Sequence, residues 1–172
     1  MKMSETRQIA ASPAEVYAAL LDPDMLIKCV PGATEVTGSP EDGFEATVVQ
    51  KVGPVKATFK GQVDISDIVA GESLTLTGQG KGGPAGFAKG AAKVSFADTE
   101  AGGTLLTYDV EAKVGGKLAQ LGSRIIDGFT KKLADQFFER FQDGLEDPAE
   151  AEEIEEENEE KPKKGWIGRM LS

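Results

Sequence analysis

Residues 117–144 read KLAQLGSRIIDGFTKKLADQFFERFQDG, and their pattern decides the fold. Leu118, Leu121, Ile125, Phe129, Leu133, Phe137 and Phe141 recur at steps of three and four. That spacing is one apolar stripe of a helix, widened by Ile126 and Phe138. At about 1.5 Å per residue the helix would be roughly 40 Å long. What precedes it is largely strand, so the helix needs a sheet to cover. The space between the two is the expected functional site.

From residue 33 to 114 the apolar period is two. Val55, Ala57, Phe59, Gly61, Val63 and Ile65 alternate with Lys56, Thr58, Lys60, Gln62, Asp64 and Ser66. Leu74 and Leu76 alternate with Thr75 and Thr77; Leu106, Tyr108, Val110 and Ala112 alternate with Thr107, Asp109 and Glu111. One face buried and one wet is the mark of an antiparallel sheet. Ahead of it, residues 3–10 form a short strand. Ser12-Pro13-Ala-Glu15 opens a helix with a capping box, and a second short helix follows over about residues 23–28. Strand, two helices, antiparallel meander and long helix predict an α+β fold: a curved sheet of six to seven strands around the terminal helix.

The odd strand is residues 78–97, GQGKGGPAGFAKGAAKVSFA. If Val94 and Phe96 point inward, so do Gly86, Ala88, Gly90 and Ala92, while Gly78 and Gly80 share the inner face of the strand before. These inner positions lack bulk where the helix should lie. Either the helix approaches closely or a ligand fills the gap, because a packed interior does not leave such volume empty without cost. A bulge around Gly82-Gly83-Pro84 would turn Phe87 inward as well. The candidate ligand-binding set is Phe59, Leu76, Phe87, Phe96, Leu106 and Tyr108 from the sheet, with Leu121, Ile125 and Phe129 from the helix. Tyr108 is read as a core residue with a satisfied hydroxyl, or else as a donor to a ligand carbonyl.

Composition excludes much chemistry. The chain of 172 residues has no histidine and one cysteine, Cys29. No histidine general base is available, and one cysteine cannot build a thiolate metal cluster. Asp64, Asp109 and Glu111 fall on the wet face. The expectation is no catalytic residue, no metal and no enzyme. A net charge of −10 argues against a nucleic-acid partner. The N-terminus lacks the apolar run of a secretory signal, and no window is apolar enough to span a bilayer, so the expected location is cytoplasmic.

Charge is unevenly placed. Residues 146–160 hold ten acidic residues and no basic one, residues 161–172 four basic and no acidic, which leaves 19 acidic and 15 basic in residues 1–145. The expected organisation is one domain over 1–145, a disordered linker over 146–164 that turns from acidic to basic, and a short amphipathic segment over 165–172. In that terminal region Trp166, Ile167, Met170 and Leu171 would share a helical face, flanked by Lys163, Lys164 and Arg169. This suits a bilayer interface, or alternatively a protein partner.

Four ordered segments resemble a known family: Cys29-Val-Pro-Gly32, Lys51-Val-Gly-Pro-Val-Lys-Ala-Thr-Phe-Lys-Gly61, Gly80-Lys-Gly-Gly-Pro-Ala-Gly-Phe-Ala-Lys-Gly90 and Val114-Gly-Gly-Lys-Leu-Ala-Gln-Leu-Gly122. They are similar to the CoxG family of carbon monoxide dehydrogenase subunits, within the START-like, Bet v 1-like helix-grip superfamily. The resemblance implies a helix-grip fold holding an apolar molecule between sheet and terminal helix. It also implies a non-catalytic adaptor that links a molybdenum-containing dehydrogenase to the inner face of the cell membrane and its quinone pool, with menaquinone or ubiquinone as the expected bound molecule. An assembly partner of that enzyme needing no ligand is the alternative, and a polyketide-cyclase-like enzyme stands third.

Overall fold

Period-two alternation produces strands wherever the inner face has something to cover. The computed structural model describes residues 1–146. In chain order the elements are β1 (Lys2–Ile9), α1 (Pro13–Leu20), α2 (Pro23–Cys29), β2 (Ala33–Ser39), β3 (Gly43–Val52), β4 (Val55–Val69), β5 (Ser73–Lys81), β6 (Phe87–Asp98), β7 (Thr104–Gly115), α3 (Lys117–Gln120) and α4 (Ser123–Glu146). The strands form one antiparallel sheet in the order β1-β7-β6-β5-β4-β3-β2, curved around α4. This is the α+β helix-grip fold. The expected linker and terminal segment, with Lys163, Lys164, Trp166, Ile167, Arg169, Met170 and Leu171, lie outside the described residues.

The two short helices start as their sequences dictate. The Ser12 hydroxyl accepts from the Glu15 amide at 3.3 Å, and the Glu15 carboxylate accepts from the Ser12 amide at 3.0 Å. Asp22 caps α2 by accepting from the Asp24 amide at 2.9 Å. The pair seals one end of the sheet, burying Val16 and Cys29. Burial pushes the Cys29 thiol up to about 11, so it behaves as a small apolar core residue.

The terminal helix departs from expectation. Instead of one helix over 117–144, Gly122 interrupts it with a φ of +88°, a conformation that an L side chain resists. Restarting at Ser123 shifts which side chains face the sheet. Ile126 is buried, while Ile125 is 42% exposed.

The interior divides into two compartments. Under the C-terminal half of α4, Leu74, Val94, Phe96, Leu106, Tyr108 and Phe141 form a closed core. Phe137 stacks on Phe141 and Phe138 meets both edge-to-face, with ring centroids 5.0–6.3 Å apart. Under the N-terminal half, Val52, Leu118 and Ile126 form a smaller cluster with Phe59, Val114 and Phe129 around it. That second compartment is not filled.

Candidate functional site

A cavity of about 660 Å³ lies between the sheet and the first turns of α4. Its walls are Val48, Val52, Phe59, Val110 and Val114 from the strands, with Leu118, Ile126, Phe129 and Leu133 from the helices. Gly80 and Ala88 form part of its floor, on neighbouring strands and directly paired. A side chain at Gly80 would meet nothing nearer than the Lys60 carbonyl oxygen, at 4.0 Å. Gly80 therefore leaves space that nothing else takes up.

Not every bare position contributes to that space. A side chain at Gly90 would strike the Glu111 carbonyl oxygen at 2.4 Å, and one at Gly78 would crowd Val63 at 3.2 Å. Close approach of neighbouring strands explains these two glycines. The close approach at these two positions comes from neighbouring strands and not, as the sequence suggests, from the helix, while Gly80 with Ala88 line the cavity.

Polar groups gather at one end of the cavity. Gly122, Ser123, Asp127 and Thr130 line it at the start of α4, where a helix presents amides without intrahelical partners and the positive end of its dipole. The Thr130 hydroxyl donates back to the Ile126 carbonyl at 2.9 Å, which leaves its oxygen able to accept. Gln50 also lines the wall, its amide nitrogen donating to the Pro31 carbonyl. An apolar chamber with a few polar atoms at one pole is suited to hold a hydrophobic molecule carrying a small oxygenated end.

Of the nine residues expected to line the site, the structure brings Phe59 and Phe129 to the cavity. Leu76, Phe96, Leu106 and Tyr108 belong to the closed core instead, because they sit further along the strands, under the phenylalanine-rich part of α4. Leu121 and Ile125 lean against Gly53 at the β3–β4 turn, outside the chamber, as a consequence of the break at Gly122. Phe87 is 43% exposed on the opposite face, where its ring packs across Gly115. The short 3-10 turn over Gly83–Ala85 ends before β6 begins, so the strand keeps its parity and Phe87 stays outside.

The Tyr108 hydroxyl is already committed. It donates to Glu5 Oε1 at 2.7 Å and accepts from Arg7 at 3.2 Å. Arg7 also bonds Glu5 at 2.8 Å and Asp135 at 2.6 Å, and Lys131 reaches Glu5 Oε2 at 3.2 Å. The Arg7 guanidinium lies 5.1 Å above the Phe138 ring, which stacks on Tyr108. These groups clamp α4 onto the β1 edge. The Tyr108 hydrogen bond, reinforced by Arg7 and Lys131, holds the Glu5 carboxyl below its usual range, although burial opposes the shift. Burial and the Glu5 carboxylate push Tyr108 up to about 12. Sequence reading missed Glu5 and Arg7, although both share the inward parity of Met3 and Ile9.

Fold and cavity together define a helix-grip protein with an apolar chamber beneath its terminal helix. The profile of CoxG, a carbon monoxide dehydrogenase subunit, matches residues 6–146, and the chain belongs to that family. Among solved structures it is similar to a conserved protein from Geobacillus kaustophilus, at 28% identity over 84% of this chain and 95% of that one, with a TM-score of 0.79. More distant likenesses show the fold alone. Protein MLL2253 from Mesorhizobium loti is 17% identical over 85% of this chain and 97% of its own, with a TM-score of 0.61. Ara h 8.0201 is 15% identical over 85% and 98%, with a TM-score of 0.59. No protein with a curated description matches the chain in sequence. Among the described residues no helix is long and apolar enough to cross a membrane.

Proposed function

We propose that the chamber binds a respiratory quinone or a related isoprenoid lipid. In this reading the protein is a non-catalytic START-like adaptor. It connects a molybdenum-containing, carbon monoxide dehydrogenase-type enzyme to the membrane quinone pool. The observation behind it is the unfilled space over Gly80 and Ala88, walled by aliphatic and aromatic side chains. About 660 Å³ is a normal volume for a small-molecule site, enough for a ring system and the first units of a chain. The quinone oxygens would face the start of α4, where amides and the Thr130 hydroxyl can meet them. The isoprenoid tail would lie along Phe59 and Phe129. Membership of a family named for carbon monoxide dehydrogenase supports the enzyme partner.

Lys163, Lys164 and Arg169, with the apolar Trp166, Ile167, Met170 and Leu171, supply the membrane contact in this scheme. Each lysine or arginine near an anionic leaflet is worth on the order of 1 kcal/mol, so attachment is reversible, as a carrier requires. The test is organic extraction of the full chain purified from a quinone-containing host, followed by mass spectrometry. A near-stoichiometric isoprenoid quinone is expected, with its loss in Ala88→Phe, which fills the chamber floor. Empty wild-type protein from such a host rules the reading out and leaves a ligand-free assembly role.

A further inference from the structure

The outer face of the sheet carries an arrangement that strand pairing alone disfavours. Lys51 is paired directly with Lys56, Lys60 with Lys81, and Lys89 with Lys113, on one continuous surface that runs from β3 to β7. All six side chains are exposed. Directly opposed residues have Cβ atoms about 5 Å apart, and like charges there are destabilising. Among the described residues none of the six has an ion-pair partner. Beside the Lys89–Lys113 pair the outer face dips into a hollow lined by Lys2, Gln62, Thr77, Gln79 and Ala91, with Asp64 and Glu111 as its carboxylates.

We propose that this lysine face is a docking surface for the chain's own acidic segment, residues 147–160. That segment holds nine acidic residues and no basic one, the complement that the lysines lack. Covalent attachment presents it at an effective concentration in the millimolar range, ahead of any dilute partner. Reach is sufficient. The C-terminal end of α4 is fixed beside the edge strand β1, where the Ala10 amide donates to Gln142 at 3.1 Å. Ile9 is paired there with Thr104. From Thr104 to Lys113 along β7 is roughly 30 Å at about 3.4 Å per residue. Fourteen extended residues span at most about 50 Å, enough to round the β1 edge and reach the Lys89–Lys113 pair, with Lys60–Lys81 about 10 Å further across the sheet at the limit of reach. The contact is electrostatic and exposed, and so sensitive to salt. It is independent of what fills the chamber.

The experiment is zero-length carbodiimide cross-linking of the full chain, with peptide mapping of the monomer by mass spectrometry. Expected are amide links from Lys60, Lys81, Lys89 or Lys113 to the carboxylates of 147–160, lost at about 1 M salt, where the Debye length falls to about 3 Å. In parallel, the fluorescence anisotropy of Trp166, the only tryptophan, should drop on adding salt to the value shown at all salt concentrations by the quadruple variant Lys60→Gln, Lys81→Gln, Lys89→Gln, Lys113→Gln. Links confined to Lys161, Lys163 and Lys164, or found only in a dimer, overturn the proposal. So does an uncross-linked wild type whose binding to phosphatidylglycerol vesicles depends on the four lysines, since the face would then belong to a bilayer.

Discussion

Gly80 and Gly90 lie on adjacent strands and face the same interior, yet substitution should affect them in opposite ways. Valine at Gly80 enters empty space and replaces a weak strand former with a strong one, so Gly80→Val should stabilise the ligand-free protein by about 1 kcal/mol. Valine at Gly90 drives its Cβ against a backbone carbonyl, and Gly90→Val should cost several kcal/mol, on the order of severe overpacking. Urea unfolding of the two variants checks this; destabilisation by Gly80→Val would mean that the floor of the chamber is already covered. The sequence shows at both places only that bulk is missing. Whether a carbonyl or a void lies above each depends on the local approach of β4, β5, β6 and β7, which alternation does not encode. Phe59 and Phe129 were legible because their parity and helical phase agree with the fold throughout.

At the level of elements, α4 is held by two different means. Phe141, fully buried, anchors its C-terminal half in the core, while Glu5, Arg7, Tyr108, Lys131 and Asp135 clamp its middle to β1. The clamp has a pH signature. Because the folded state lowers the Glu5 pKa, its contribution is present above the ordinary carboxylate value and disappears as pH falls through the lowered folded value. Wild type should therefore exceed Glu5→Gln in stability at neutral pH, and the gap should close on acidification. Thermal unfolding at stepped pH reads it directly; a gap that stays constant into strong acid would show that Glu5 acts without its charge. The stripe of α4 was readable from sequence, but its phase at the start was not. Leu118, Leu121 and Ile125 fit an unbroken helix, and only the left-handed Gly122 resets the register to bury Ile126.

At the level of the whole molecule, one closed compartment and one open one lie along a single helix. Strand order and the curved sheet follow from the hairpin signals between successive strands. The exception is β1, which the meander leaves out. Its partner is β7, with Lys2 opposite Glu111 and Ile9 opposite Thr104. Every other strand pairs with a neighbour in sequence. On a growing chain made at about 5–20 residues per second, the first strand to emerge waits several seconds for its partner to be synthesised. Closing so long a loop is entropically late, so β1 should dock after the β2–β7 meander has formed. Ile9→Ala should then speed unfolding while barely slowing folding, with a φ-value below about 0.3 in stopped-flow chevrons. A value near one would place β1 in the nucleus. Until β1 arrives, the outward edge of β7 is an unpaired template for strand addition, so the interval before closure is when the nascent chain is most exposed to aggregation.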